Sequence, residues 1–132
     1  MRPEEAEVAR WVGKAAQDRS AAQRLFTPDC AELAVVAFHC QQSVEKLLKG
    51  FLVSRVIEFE KVHDLRLLLD QCAQADPSFE ALRDDAETLT IFAVTYRYPG
   101  PAEPARFTVE AAVQSMERAW TFVTAVLTTP EG

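Results

Sequence analysis

Apolar residues recur along the chain at steps of three and four, the period of a helix with one buried stripe, and breaks in that rhythm mark the ends of the elements. Val8, Trp11, Val12, Ala15, Ala22 and Leu25 form an imperfect stripe that predicts a first helix from about Pro3 towards Phe26. "TPDC" interrupts it, and Asp29 is the natural N-cap for a long second helix from Cys30 to about Val56. A third, short helix follows in "LRLLLDQCAQA", capped by Asp64, with Leu65, Leu68, Leu69 and Cys72 facing inward. Asp76 and Pro77 restart the pattern, and Phe79, Leu82, Ala86, Leu89, Ala93 and Tyr96 carry a fourth helix to about Arg97. "YPGPAEP" cannot continue a helix, because proline removes N–H donors and fixes φ. Thr108 then caps a fifth, in which Val109, Val113, Met116, Trp120, Val123 and Leu127 keep the spacing. No stretch alternates long enough to force a sheet. The pattern predicts an all-α fold, an antiparallel up-and-down helical bundle of about five helices.

At 132 residues and 48% hydrophobic content, the chain is expected to form one domain over residues 1–132. A formal charge of −6 disfavours broad attraction to nucleic acid or anionic membrane, so any polyanion contact must be local. "MRPEEAEVARW" lacks the basic start and apolar run of a signal peptide, and no run approaches the ~18 apolar residues of a membrane span. A cytoplasmic protein with no membrane association is expected. Cys30, Cys40 and Cys72 have neither the even number of a disulfide framework nor a C-x-x-C spacing, and buried free thiols are expected. His39 and Cys40 point about 100° apart on a helix, so they share one metal poorly, and neither a metal site nor a cofactor is expected. Gly-rich phosphate loops, H-E-x-x-H and G-x-S-x-G are absent. Asp84 and Asp85 read as an exposed helical edge.

The segment "AFHCQQSVEKLLKGFL" combines core and chemistry. On a helical wheel Ala37, Cys40, Val44, Leu47, Leu48 and Phe51 share one arc, while His39, Gln42, Lys46 and Lys49 gather on the opposite side. Gln41, Glu45 and Leu52 occupy one flank and Gly50 the other. That polar side reads either as a solvated face, with a Glu45–Lys49 pair contributing about 0.2–0.5 kcal/mol, or as a donor-rich surface for phosphate, carboxylate or a partner chain. Near the end of the fourth helix, Arg97 between Tyr96 and Tyr98 can grip a phosphate and stack on a base, or cap the helix. His63 beside Asp64 can fix a loop or carry a proton.

The run from "AFHCQQSVEKLLKGFL" to "VHDLRLLL" closely resembles the central segment of HEPN domains, the helical modules named for higher eukaryotes and prokaryotes nucleotide-binding. Phe38, His39, Gln41, Gln42, Glu45, Lys46, Lys49, Gly50, His63, Asp64 and Leu65 carry the likeness, which extends through "YRYPG" to the last helix. The resemblance implies a helical bundle, often a homodimer, frequently partnered by a minimal nucleotidyltransferase in toxin–antitoxin-like systems. Many members cleave RNA, using an Arg near the end of a long helix and a His a short spacer later. Here Arg97 stands where that Arg is expected, but the positions for the His are Ala102, Glu103 and Pro104, and no His follows His63. The expected function is therefore a non-catalytic, nucleotide-binding or regulatory partner, with no catalytic residues and with His39, Gln42, Lys46, Lys49, His63, Arg97 and Tyr98 as candidates for contacting a nucleotide, an RNA or a partner protein. An atypical metal-independent endoribonuclease using Arg97 or His63 and a purely structural interaction module are the alternatives.

Overall fold

The computed structural model describes residues 2–59, 61–95 and 103–129, and among these there are five α-helices and no strand. They are α1 (Pro3–Leu25), α2 (Leu33–Ser54), α3 (Leu65–Ala75), α4 (Arg83–Thr95) and α5 (Arg106–Thr128), with a 3-10 helix over Pro77–Leu82 between α3 and α4. This is the expected all-α bundle.

Its ends follow local chemistry where that chemistry is used locally. Asp64 caps α3 by accepting the Arg66 N–H at 2.9 Å. Asp76 accepts the Ser78 N–H at 3.0 Å, with Pro77 in the first position. The restart is tighter than expected, because one 3-10 segment precedes the α-helical part of this element.

Two expected caps are corrected. Asp29 does not start α2: it accepts the Thr27 hydroxyl at 3.0 Å, and the Cys30 N–H bonds to Thr27 O at 3.1 Å, so this tetrapeptide closes on itself as a turn. The helix begins at Leu33, and the Ala34 N–H is instead received by Glu103, 3.0 Å away from the far side of the sequence. Thr108 likewise lies inside α5, which opens two residues earlier after Ala105.

Helix α2 is the spine and packs against α1, α3, α4 and α5. Ala37, Cys40, Val44, Leu47, Leu48 and Phe51 are all buried, as the wheel predicts, and Phe79 bridges Phe51 and Phe122 with ring centroids 4.3 and 5.0 Å apart. Gly50 permits close approach of α1: a Cβ there would stand 3.2 Å from Trp11 Cβ. Beyond α2 the chain ends its helix with a left-handed Val56 at φ 57°, then doubles back. His63 O reaches Gln41 while Cys72 Sγ reaches Leu48 O, so α3 runs in the same sense as α2. Glu117 meets Arg19 and Glu103 meets Ala34, which lays α5 against α1 and along α2.

Candidate functional site

The polar side of α2 is not simply solvated, because α1 lies over much of it. His39 and Lys46, seven residues apart on α2, both turn to Asp18 of α1. Asp18 receives His39 Nδ1 at 2.9 Å on one oxygen and the Lys46 ammonium on the other. All three side chains are largely buried. Ser43, fully buried between them, donates to Ala15 O at 2.9 Å.

A second knot forms on the adjoining flank of α2, around Glu45. This carboxylate is 4% exposed and accepts Lys49 Nζ at 3.2 Å, His63 Nδ1 at 3.0 Å and the Gln41 amide at 3.3 Å. Gln41 also donates to His63 O at 3.0 Å and accepts from Gln42 at 2.7 Å. Lys49, 9% exposed, lies 5.8 Å from the Trp11 ring and 5.4 Å from that of Phe59, both rings offering their negative faces to the ammonium.

The structure thus groups His39, Gln42, Lys46, Lys49 and His63 along one seam, while Arg97 and Tyr98 lie outside the described residues. Asp18, Trp11 and Phe59 complete the seam. Asp18 was not visible in the local pattern, since its partners stand on another helix; of the partners, only the Glu45–Lys49 pair, four residues apart, could be read from spacing. Chemically, each cation along the seam already has a carboxylate. Each imidazole is held through Nδ1, His39 by Asp18 and His63 by Glu45, which fixes the orientation of the ring.

Elsewhere, the acidic pair of α4 divides. Asp84 is exposed, but Asp85 is buried and accepts Ser115 Oγ at 2.8 Å and Arg118 at 2.8 and 3.0 Å, a correction to the exposed edge expected for both. The expectation failed because α5 covers one of two adjacent positions that a helix turns about 100° apart. Arg19 hydrogen bonds hold the Glu117 carboxyl below its usual range, and the same guanidinium lies 4.8 Å over Trp120. Cys40 and Cys72 are buried, and burial pushes both thiols up to about 12, which suppresses thiolate chemistry. Cys30 is only half-buried. Among the described residues no three His, Cys, Asp or Glu side chains cluster closely enough to hold a metal ion, and no helix is long and apolar enough to cross a membrane.

Comparison with known proteins gives two matches of similar extent. Residues 8–126 match the family model for the HEPN domain. The structure resembles the crystal structure of TT1696 from Thermus thermophilus, with a TM-score of 0.73 and 25% sequence identity, covering 89% of this chain and 96% of that one. Curated proteins give no sequence match.

Proposed function

The chain belongs to the HEPN domain family, and from that membership and the seam along α2 we propose that it is a non-catalytic binding protein that works by docking another chain. The observation that carries this reading is the internal pairing of the cations. Lys46 is answered by Asp18 and Lys49 by Glu45, one carboxylate to each ammonium, and the same two carboxylates also hold the His39 and His63 rings, so neither ammonium stands free to receive a phosphate. Along the same helix Val35 and Phe38 remain 42% and 41% exposed. Val35, Phe38, His39, Gln42 and Lys46 follow one another at steps of three, one, three and four, which puts them on one stripe of α2. An apolar centre edged by neutralised polar groups suits a protein surface better than a free anion.

The first occupant is a second copy of the chain, forming a homodimer; a minimal nucleotidyltransferase, in a toxin–antitoxin-like pairing, is the further partner that family membership supports. The lack of a His after His63 supports the absence of RNA cleavage.

The test measures mass in solution by light scattering for the wild type and Phe38→Glu. A wild-type dimer that becomes a folded monomer on substitution supports the reading. A wild-type monomer at tens of micromolar, or a dimer indifferent to the substitution, removes the stripe. Incubation with a short single-stranded RNA completes the test: cleavage abolished by Arg97→Ala or His63→Ala would replace this reading with the ribonuclease. Lys46→Ala and Lys49→Ala are poor probes of ligand contact, because each leaves a carboxylate of the seam without its cation.

A further inference from the structure

The first turn of α2 has no local cap among the described residues. Glu32, at the N-cap position, makes no side-chain hydrogen bond to the turn, and Asp29 is engaged by the Thr27 hydroxyl. The turn reads Leu33, Ala34, Val35, Val36, and its two adjacent valines lose side-chain freedom in a helix and favour one only weakly. Amides at the start of a helix have no carbonyl of that helix to meet. The Ala34 N–H is one of them, and it ends on the Glu103 carboxylate at 3.0 Å, 69 residues away in the chain. The helix dipole favours a carboxylate at that end.

Glu103 is itself held. Pro104 beside it is buried, and Arg106 donates to Thr27 O at 2.8 Å while its guanidinium lies 4.4 Å from the Phe26 ring centroid. Residues 103–106 therefore grip the α1–α2 connection at both ends, at Phe26 and Thr27 on one side and at Ala34 on the other. This connection leads directly into the exposed stripe of α2. Val35 follows Ala34, and Phe38 lies one turn further on.

We propose that residues 103–106 are a clamp that holds the first turn of α2 in the form a second copy docks against, with Glu103 as the positioning residue. The inference rests on the α2 stripe as the docking surface, and it makes docking there depend on the residues that lead into α5. Opening the clamp lets residues 33–36 fray, and Val35 then leaves the stripe for part of the time. Apparent affinity falls with the fraction of copies that keep the turn. A homodimer needs the turn in both copies, so the fraction enters twice. A turn kept about one third of the time raises the dissociation constant roughly tenfold.

The experiment compares the wild-type chain with Glu103→Ala, Glu103→Gln and Asp76→Ala, the last removing the cap of the 3-10 helix, well away from the start of α2. Hydrogen exchange of the Val36 amide, whose acceptor is Glu32 O, reports the turn, and light scattering on dilution gives the dimer dissociation constant. Glu103→Ala is expected to speed Val36 exchange and to raise the dissociation constant about tenfold. Glu103→Gln keeps an oxygen acceptor and is expected to restore most of both. Asp76→Ala is expected to change neither. Unchanged Val36 exchange in Glu103→Ala overturns the clamp whatever the oligomeric state. Faster exchange with an unchanged dissociation constant overturns the coupling to docking and leaves the stripe standing. An equal weakening by Asp76→Ala overturns the positioning role, because the loss of any cap would then suffice. A monomeric wild type removes the stripe and the coupling with it, while Val36 exchange still decides the clamp.

Discussion

Glu45 shows how much one side chain can hold. It is buried, yet it receives an ammonium, an imidazole and an amide, and through His63 and Gln41 it ties the segment before α3 to the spine. Removing one member of a buried ionic cluster leaves the others desolvated and unanswered, typically at 3–5 kcal/mol. Glu45→Ala is therefore expected to lower unfolding free energy by about 3–5 kcal/mol, read from urea titrations, while Lys46→Ala, whose partner is closer to solvent, costs less. The sequence makes the Glu45–Lys49 pair legible through its spacing, but not its depth. A pattern of polar residues on one helix says nothing of which other helix will cover them, and here the covering residues, Trp11 and Asp18, come from the least regular apolar stripe in the chain. Asp18 had no local signature at all.

The helices themselves were readable to the extent that their ends are decided by neighbours in sequence. Both limits of α3 follow from Asp64 and Asp76, whose carboxylates bond two residues onward. The start of α2 was not readable, because Glu103 satisfies its backbone from a distance. The close of α2 uses a standard pair of bonds, Ile57 N–H to Leu52 O and Val56 N–H to Val53 O, but seats a β-branched valine in the left-handed position that glycine normally takes. Left-handed backbone costs a residue with a Cβ roughly 1–2 kcal/mol. Val56 is 77% exposed and so contributes little packing. Val56→Gly is expected to stabilise the protein by about 1 kcal/mol once the added freedom of the unfolded glycine is deducted, seen as a higher melting temperature; a lower one would mean that the side chain is covered in an assembly.

Across the bundle, several carboxyls sit below their usual range: Glu117 through hydrogen bonds from Arg19, Asp64 through those from Arg66, and Asp76 through those from Ser78. A carboxyl lowered on folding contributes stability that is fully present above its unfolded pKa and lost as pH falls through the folded one. Unshifted Asp and Glu titrate at about 3.9–4.3, so melting temperature should hold between pH 7 and about pH 5 as far as these groups decide it, then fall below about pH 4. Glu117→Gln should flatten part of that fall. The family was legible because its residues lie in one continuous run through α2 and into α3, whereas the burial of that run's polar side was not, since it depends on how α1 packs over it. The Arg19–Glu117 contact joins residues 98 apart in the chain, so synthesis delivers one partner well before the other. On the ribosome the α1–α2 hairpin emerges long before α5, and the flank of the spine that Val109, Met116 and Val123 will bury stays open until residues 106–128 leave the exit tunnel. For that interval the apolar flank of the nascent spine faces water, the condition under which partly folded chains aggregate.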